Sequence, residues 1–219
     1  LLPRWMVAAC LGVMGIGLGL TISRGTMAAA ALAVLFVSVL RYRKLLPWIA
    51  AAVILVLLLP WTQAYIGHFV EGVQAQDLSM KMRLGEYKDA FILIGRYPWL
   101  GVGFAGAPDI DIYTAVASMY LTIAERMGLI GLAVFVAIAV VLLVRFWRWR
   151  KAAERSPDLE PLWYGIHAAI IGGLIAGLSD RYFFSLDFHH SVTLFWLIVG
   201  LATAAVQLVD KEYGVRSME

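Results

Sequence analysis

The chain has 219 residues, 62% of them hydrophobic and 15% charged, with a mean hydropathy of +0.81; soluble domains carry roughly 45–50% apolar and about 25% charged residues. These figures exclude a water-soluble globular fold, and a net charge of +3 is too small to point to a nucleic-acid partner. A single cysteine, Cys10, inside an apolar run supplies neither a disulfide framework nor a cysteine metal site.

The apolar residues gather into runs near the length that carries a helix across about 30 Å of hydrocarbon. The first run covers roughly residues 5–22 and ends at Ser23-Arg24-Gly25. The second covers about 26–40 and ends at Arg41-Tyr42-Arg43-Lys44, and the third, about 46–61, is closed by Pro60 between the interface-type residues Trp48 and Trp61. A mixed segment follows: residues 63–114 hold four Lys or Arg and six Asp or Glu, which belong in water or at the interface. Within it Met80, Leu84, Tyr87, Phe91 and Ile94 recur at helical spacing, with Lys81, Lys88 and Asp89 on other faces. This pattern predicts an interfacial amphipathic helix that stops at Arg96-Tyr97-Pro98, because proline disfavours helix in the residue before it. Gly101-Val102-Gly103-Phe104-Ala105-Gly106 then reads as a turn, and 113–124 as a second interfacial helix interrupted by Glu125-Arg126 and Gly128. Three further runs, about 127–144, 162–178 and 191–209, complete the set, the first stopped by the basic stretch 145–151.

The expected fold is therefore all-α. One polytopic membrane domain spans residues 1–219, with about six transmembrane helices and an outer-face segment over 63–126 that carries amphipathic helices. A chain beginning at Leu1 without a cleavable signal pattern is expected to be the C-terminal part of a longer protein. The lysine and arginine bias puts Arg41 to Lys44, the 145–155 cluster and both termini of this chain on the cytoplasmic side. Ser23-Arg24-Gly25, the long mixed segment and the 180–190 loop then share the outer face, where three segments could build one site.

On that face three arginines stand out: Arg24 in a tight turn, Arg83 at the edge of the amphipathic stripe, and Arg181 in the last loop. Each fits contact with lipid phosphate or with an acidic neighbour, such as Asp180 beside Arg181, and each also fits an anion clamp, because guanidinium grips phosphate oxygens two at a time. The carboxylates Asp109, Asp111, Glu86 and Glu125 lie on the same side; near a low-dielectric boundary a carboxylate can serve as a general base. His189-His190 sits about 100° apart on a helix and makes no same-face metal pair, and His68 and His167 stand alone. No metal site and no cofactor is expected, and no GxxxxGK[ST], HExxH or GxSxG motif occurs.

Ser23-Arg24-Gly25-Thr26 resembles the "SRG" turn of the O-antigen ligase and polysaccharide polymerase family of bacterial inner-membrane proteins. Arg83-Leu84-Gly85-Glu86-Tyr87, leading to Pro98-Trp99-Leu100-Gly101-Val102-Gly103, resembles that family's arginine, helix and "P-x-x-GVG". Tyr120-Leu121, Ala124-Glu125 and Gly128 to Leu132 resemble its "YL…AE.GLIGL". The family usually has about twice as many spans. The resemblance implies a GT-C-like, metal-independent glycosyl transfer on the outer face during lipopolysaccharide or exopolysaccharide biosynthesis. The donor would be a polyprenyl-diphosphate-linked glycan and the acceptor a glycan or lipid hydroxyl. Arg24 and Arg83, with Arg181, would contact the diphosphate. Family ligases commonly carry His-Asn where this chain has Ala117-Ser118, so either Asp109 or Asp111 substitutes as the base, or the acceptor is activated otherwise, or the chain is a non-ligase relative; a polymerase or surface-glycan transferase fits better than a strict ligase. A transporter or flippase, or a catalytically degenerate scaffold, is the alternative.

Overall fold

The computed structural model describes residues 3–21, 23–58, 78–104, 116–185 and 189–211, and among these the regular structure is helical throughout. Seven α-helices follow in chain order: α1 (Arg4–Leu20), α2 (Arg24–Leu40), α3 (Leu46–Leu58), α4 (Leu78–Arg96), α5 (Met119–Ala153), α6 (Leu159–Ala176) and α7 (His189–Val209). The helices α5, α6 and α7 are long and apolar enough to cross a membrane. The apolar helices α1 and α2 have 17 residues each, or about 26 Å at 1.5 Å per residue, and α3 is described over 13. All six expected apolar runs are thus helical where described.

The core lies among α2, α5, α6 and α7. At one end Phe146 of α5 stacks on Trp163 of α6 with ring centroids 6.0 Å apart, closed by Tyr164, Ala205, Val206 and Val209. Midway, Leu142, Ile170 and Ala202 form a second cluster, and Phe135 stacks on Phe195 at 6.3 Å toward the other end. His167 is buried in the first cluster, its Nδ1 2.7 Å from the Trp163 carbonyl, which gives it a structural setting. Ala29 and Ala33 of α2 are buried on the side where Gly172 of α6 leaves room for close approach. Between these two helices runs an apolar groove of about 480 Å³, from Thr26 and Ala176 at one end to Ser38 and Leu45 at the other.

The two ends of the bundle differ in chemistry. At one, the Arg41 guanidinium pairs with Glu160 through two of its nitrogens, Nε donating to Oε1 and Nη2 to Oε2 at 2.9 Å, and Tyr164 donates to Glu154. The Arg41 stretch and the 145–155 stretch therefore lie at the same end of the bundle. The basic residues 145–151 that follow the expected span continue α5, which stays helical to Ala153, since backbone bonds there are made within the helix whatever the side chains.

Helix α4 occupies the residues where the amphipathic stripe predicted one, but a different face packs on the protein. Ala90 and Leu93 are fully buried, whereas the stripe residues Leu84 and Phe91 are 54% and 63% exposed. Leu84 and Phe91 are left to face outward, as an interfacial helix requires, while Leu93 joins small Ala90 on the packed face. The expected helix 113–124 and the span after it appear as α5, bent at Gly128, where φ is +71° and ψ −177°; residues 105–115 lie outside the described set.

Candidate functional site

The bend at Gly128 and the glycine turn before α5 form one unit. A straight helix would bond the Leu129 N–H to the Glu125 carbonyl. Instead Leu129 N–H donates to the Pro98 carbonyl (2.7 Å), Val102 N–H to the Glu125 carbonyl (2.8 Å), and Gly103 N–H to the Arg126 carbonyl (2.9 Å). Gly101 adopts φ +68°, and a Cβ there would lie 2.5 Å from the Glu125 carbonyl oxygen. At Gly128 a Cβ would strike the Trp99 carbonyl. The P-x-x-GVG turn therefore grips the Glu-Arg-x-Gly stretch through backbone alone, which is why glycine is required on both sides.

Beside this unit, residues 177–181 are a meeting point. Met119 N–H, at the start of α5, donates to the carbonyls of both Gly177 (2.8 Å) and Asp180 (2.9 Å). From α4, Arg83 Nη1 donates to the Ser179 carbonyl at 3.2 Å. One turn on, Glu86 Oε2 accepts from Ala117 N–H at 3.1 Å and Tyr87 Oη donates to the Ala117 carbonyl at 3.3 Å. Ala117, where the resemblance expected histidine, is thus held by both of its backbone groups. From α2, Gly25 lies directly against Ser179: a Cβ at position 25 would be 3.2 Å from Ser179 Cβ and closer still to its hydroxyl.

The three expected arginines map onto this junction differently. Arg83 is exposed and reaches it with its side chain. Arg181 is part of it, its N–H donating to Asp180 Oδ1 at 2.7 Å. Arg24 is the first residue of α2, adjacent to Gly25; its side chain lies outside the described set. Asp109 and Asp111 also lie outside the described residues. Burial pushes the Asp180 carboxyl above the usual carboxylate range, opposed by backbone N–H donors of Arg181 and Tyr182 and by the positive charges of Arg83 and Arg181.

Two carboxylates named in the sequence take settings that the sequence did not show. Asp180 is the carboxylate between two arginines, which only the folding of α4 against the last loop produces. Glu125 is fully buried, and its carboxylate oxygens accept no hydrogen bond within the described structure; its interruption of an apolar run was the available signal. His189 and His190 are exposed, with ring planes 82° apart. Among the described residues no group of three or more His, Cys, Asp or Glu could hold a metal ion.

A protein-family model described as O-antigen ligase matches residues 9–136, more than half of the chain, from α1 through the bend in α5. A curated relative, the "Probable peptidoglycan glycosyltransferase FtsW" of Nitrosococcus halophilus (strain Nc4), is 33% identical over 93 residues, which cover 41% of this chain. The match spans 23% of that relative's own length.

Proposed function

The chain belongs to the O-antigen ligase family, and we propose that it transfers or polymerises a glycan from a polyprenyl diphosphate onto an acceptor hydroxyl at the outer face of the bacterial inner membrane. The observation that carries this reading is the convergence of Gly25, Arg83 and residues 179–181 at one end of the bundle. An anionic leaving group needs cations placed where its charge develops. Arg83 and Arg181 supply two, Arg24 a third at the positive N-terminal end of α2.

The groove between α2 and α6 supports the same reading. Its upper end at Thr26 and Ala176 adjoins Gly25 and Ser179, and its walls are apolar. A donor with its diphosphate at the arginines would lay its polyprenyl chain there, buried beside Ala29, Ala33 and Gly172. In this arrangement the Arg41 and 145–155 end, with both termini of the chain, is cytoplasmic. Asp109 and Asp111 remain candidates for activating the acceptor, a glycan or lipid hydroxyl.

The test is transfer by the full-length protein in vesicles, from a polyprenyl-diphosphate glycan to an acceptor, with chelator present and no metal added. Arg83→Ala is expected to lower the rate about 10²–10³-fold, the effect of removing one donor to a developing charge, with membrane insertion unchanged. Arg83→Lys restores little, because lysine lacks the paired donors. Unchanged transfer in Arg83→Ala would remove that residue from the site, and solute flux without a covalent product would favour a transporter.

A further inference from the structure

Glycosyl transfer to a hydroxyl needs a group that takes the hydroxyl proton, and the candidates Asp109 and Asp111 lie outside the described residues. We infer that Glu86 is that group, an inference that rests on the transfer reading above.

Arg83 and Glu86 are three residues apart on α4, so they share a face with Cβ atoms about 5–6 Å apart. Arg83 Nη1 is anchored to the Ser179 carbonyl and Glu86 Oε2 to Ala117 N–H. These two anchor points are themselves joined, because Met119 N–H bonds to the carbonyls of Gly177 and Asp180. The guanidinium and the carboxylate therefore border one patch of fixed backbone. In a displacement at the anomeric carbon the incoming and leaving oxygens lie about 4.5–5 Å apart, from a contact of about 3–3.5 Å plus one C–O bond. The base and the cation each stand about one hydrogen bond beyond those oxygens, so the two groups must be held apart, as Arg83 and Glu86 are by separate anchors at Ser179 and Ala117.

The other carboxylates described at this end are less suited. Glu125 is fully buried, and Asp180 already accepts from the Arg181 amide between two arginines. Glu86 is partly exposed, and its bond to Ala117 engages one oxygen and fixes the side chain. In the step, the acceptor O–H gives its proton to the Glu86 carboxylate as its oxygen bonds to the anomeric carbon. The bond from that carbon to the phosphate oxygen breaks, and its electron pair leaves with the diphosphate beside Arg83. Glu86, now a carboxylic acid, returns the proton to water.

The Ala117 bond also allows a purely structural role, and Glu86→Gln separates the two. A glutamine carbonyl still accepts from Ala117 N–H but takes no proton. In the full-length protein, reconstituted with a polyprenyl-diphosphate glycan, Glu86→Gln is expected to lower kcat about 10²–10⁴-fold, the range for general-base removal. Its donor KM stays within twofold and its Tm is unchanged, while Glu86→Asp recovers at least tenfold over Gln. Transfer by Glu86→Gln within threefold of wild type overturns the assignment, as does a loss of activity that tracks a raised donor KM or a lowered Tm. Absence of transfer by the wild-type protein instead overturns the underlying transfer reading.

Discussion

Replacing Gly128 by alanine tests the bend that joins the glycine turn to α5. At φ +71° and ψ −177° the residue sits in a region essentially reserved for glycine, and forcing another residue there costs about 1–3 kcal/mol. The added Cβ would also meet the Trp99 carbonyl and lie 2.6 Å from Leu100 N. Relief requires residues 98–103 to move away, which breaks the bonds from Leu129 to Pro98, Val102 to Glu125 and Gly103 to Arg126. At about 0.5–1.5 kcal/mol net per bond, the full loss is about 1.5–4.5 kcal/mol, so with the backbone strain Gly128→Ala is expected to cost about 2.5–7.5 kcal/mol. The assay is thermal unfolding in detergent with hydrogen exchange across 98–103, where exchange should accelerate. Gly95→Ala is the control: it lies within α4 with nothing within 4 Å of its would-be Cβ, and should be neutral or stabilise by up to about 1 kcal/mol. A Gly128→Ala protein within 1 kcal/mol of wild type (about 1 kcal/mol being the worth of a single net hydrogen bond), with protection over 98–103 intact, would refute this account.

Two other outcomes follow from the junction at 177–181. Gly25→Ala should displace Ser179, whose Oγ and Cβ crowd the added methyl, and depress glycan transfer more than Tm, because helix propensity offsets about 1 kcal/mol of the strain. Adding Ser179→Ala should restore both in a double-mutant cycle, and strict additivity of the two changes would argue against contact. Asp180 has its carboxyl raised chiefly by burial, so the folded protein holds this proton more tightly than the unfolded chain. The stability it contributes is present below the unfolded value near 3.9 and is lost as pH rises through the folded one. Thermal unfolding should then show Asp180→Asn gaining on wild type as pH rises from about 4 to 7, and a gap that shrinks over that range contradicts the burial argument.

Bilayer residence and helix were legible in the composition and the runs of apolar residues, and the O-antigen ligase resemblance was legible in short motifs read in order. Which face of α4 meets protein was not. Leu84 and Phe91 dominate its apolar stripe yet stay exposed, because in a membrane protein lipid competes with the core for large apolar side chains. Ala90, unremarkable in sequence, marks the contact because it is small. The importance of Ala117 was equally invisible, since it acts through its N–H and C=O, which every residue but proline carries.

Composition alone determined the solvent of this chain, because transfer of side chains into hydrocarbon depends on each residue by itself, and the local period determined the helices, because their bonds close within a few residues. The meeting of Gly25 and Arg83 with Ser179, and of Glu86 with Ala117, was decided only by tertiary structure. Arg83 and Ser179 are 96 positions apart and Arg41 and Glu160 are 119 apart, and such partners are chosen by how helices pack. The sequence supplied the charged residues, and packing decided which of them share one end of the bundle.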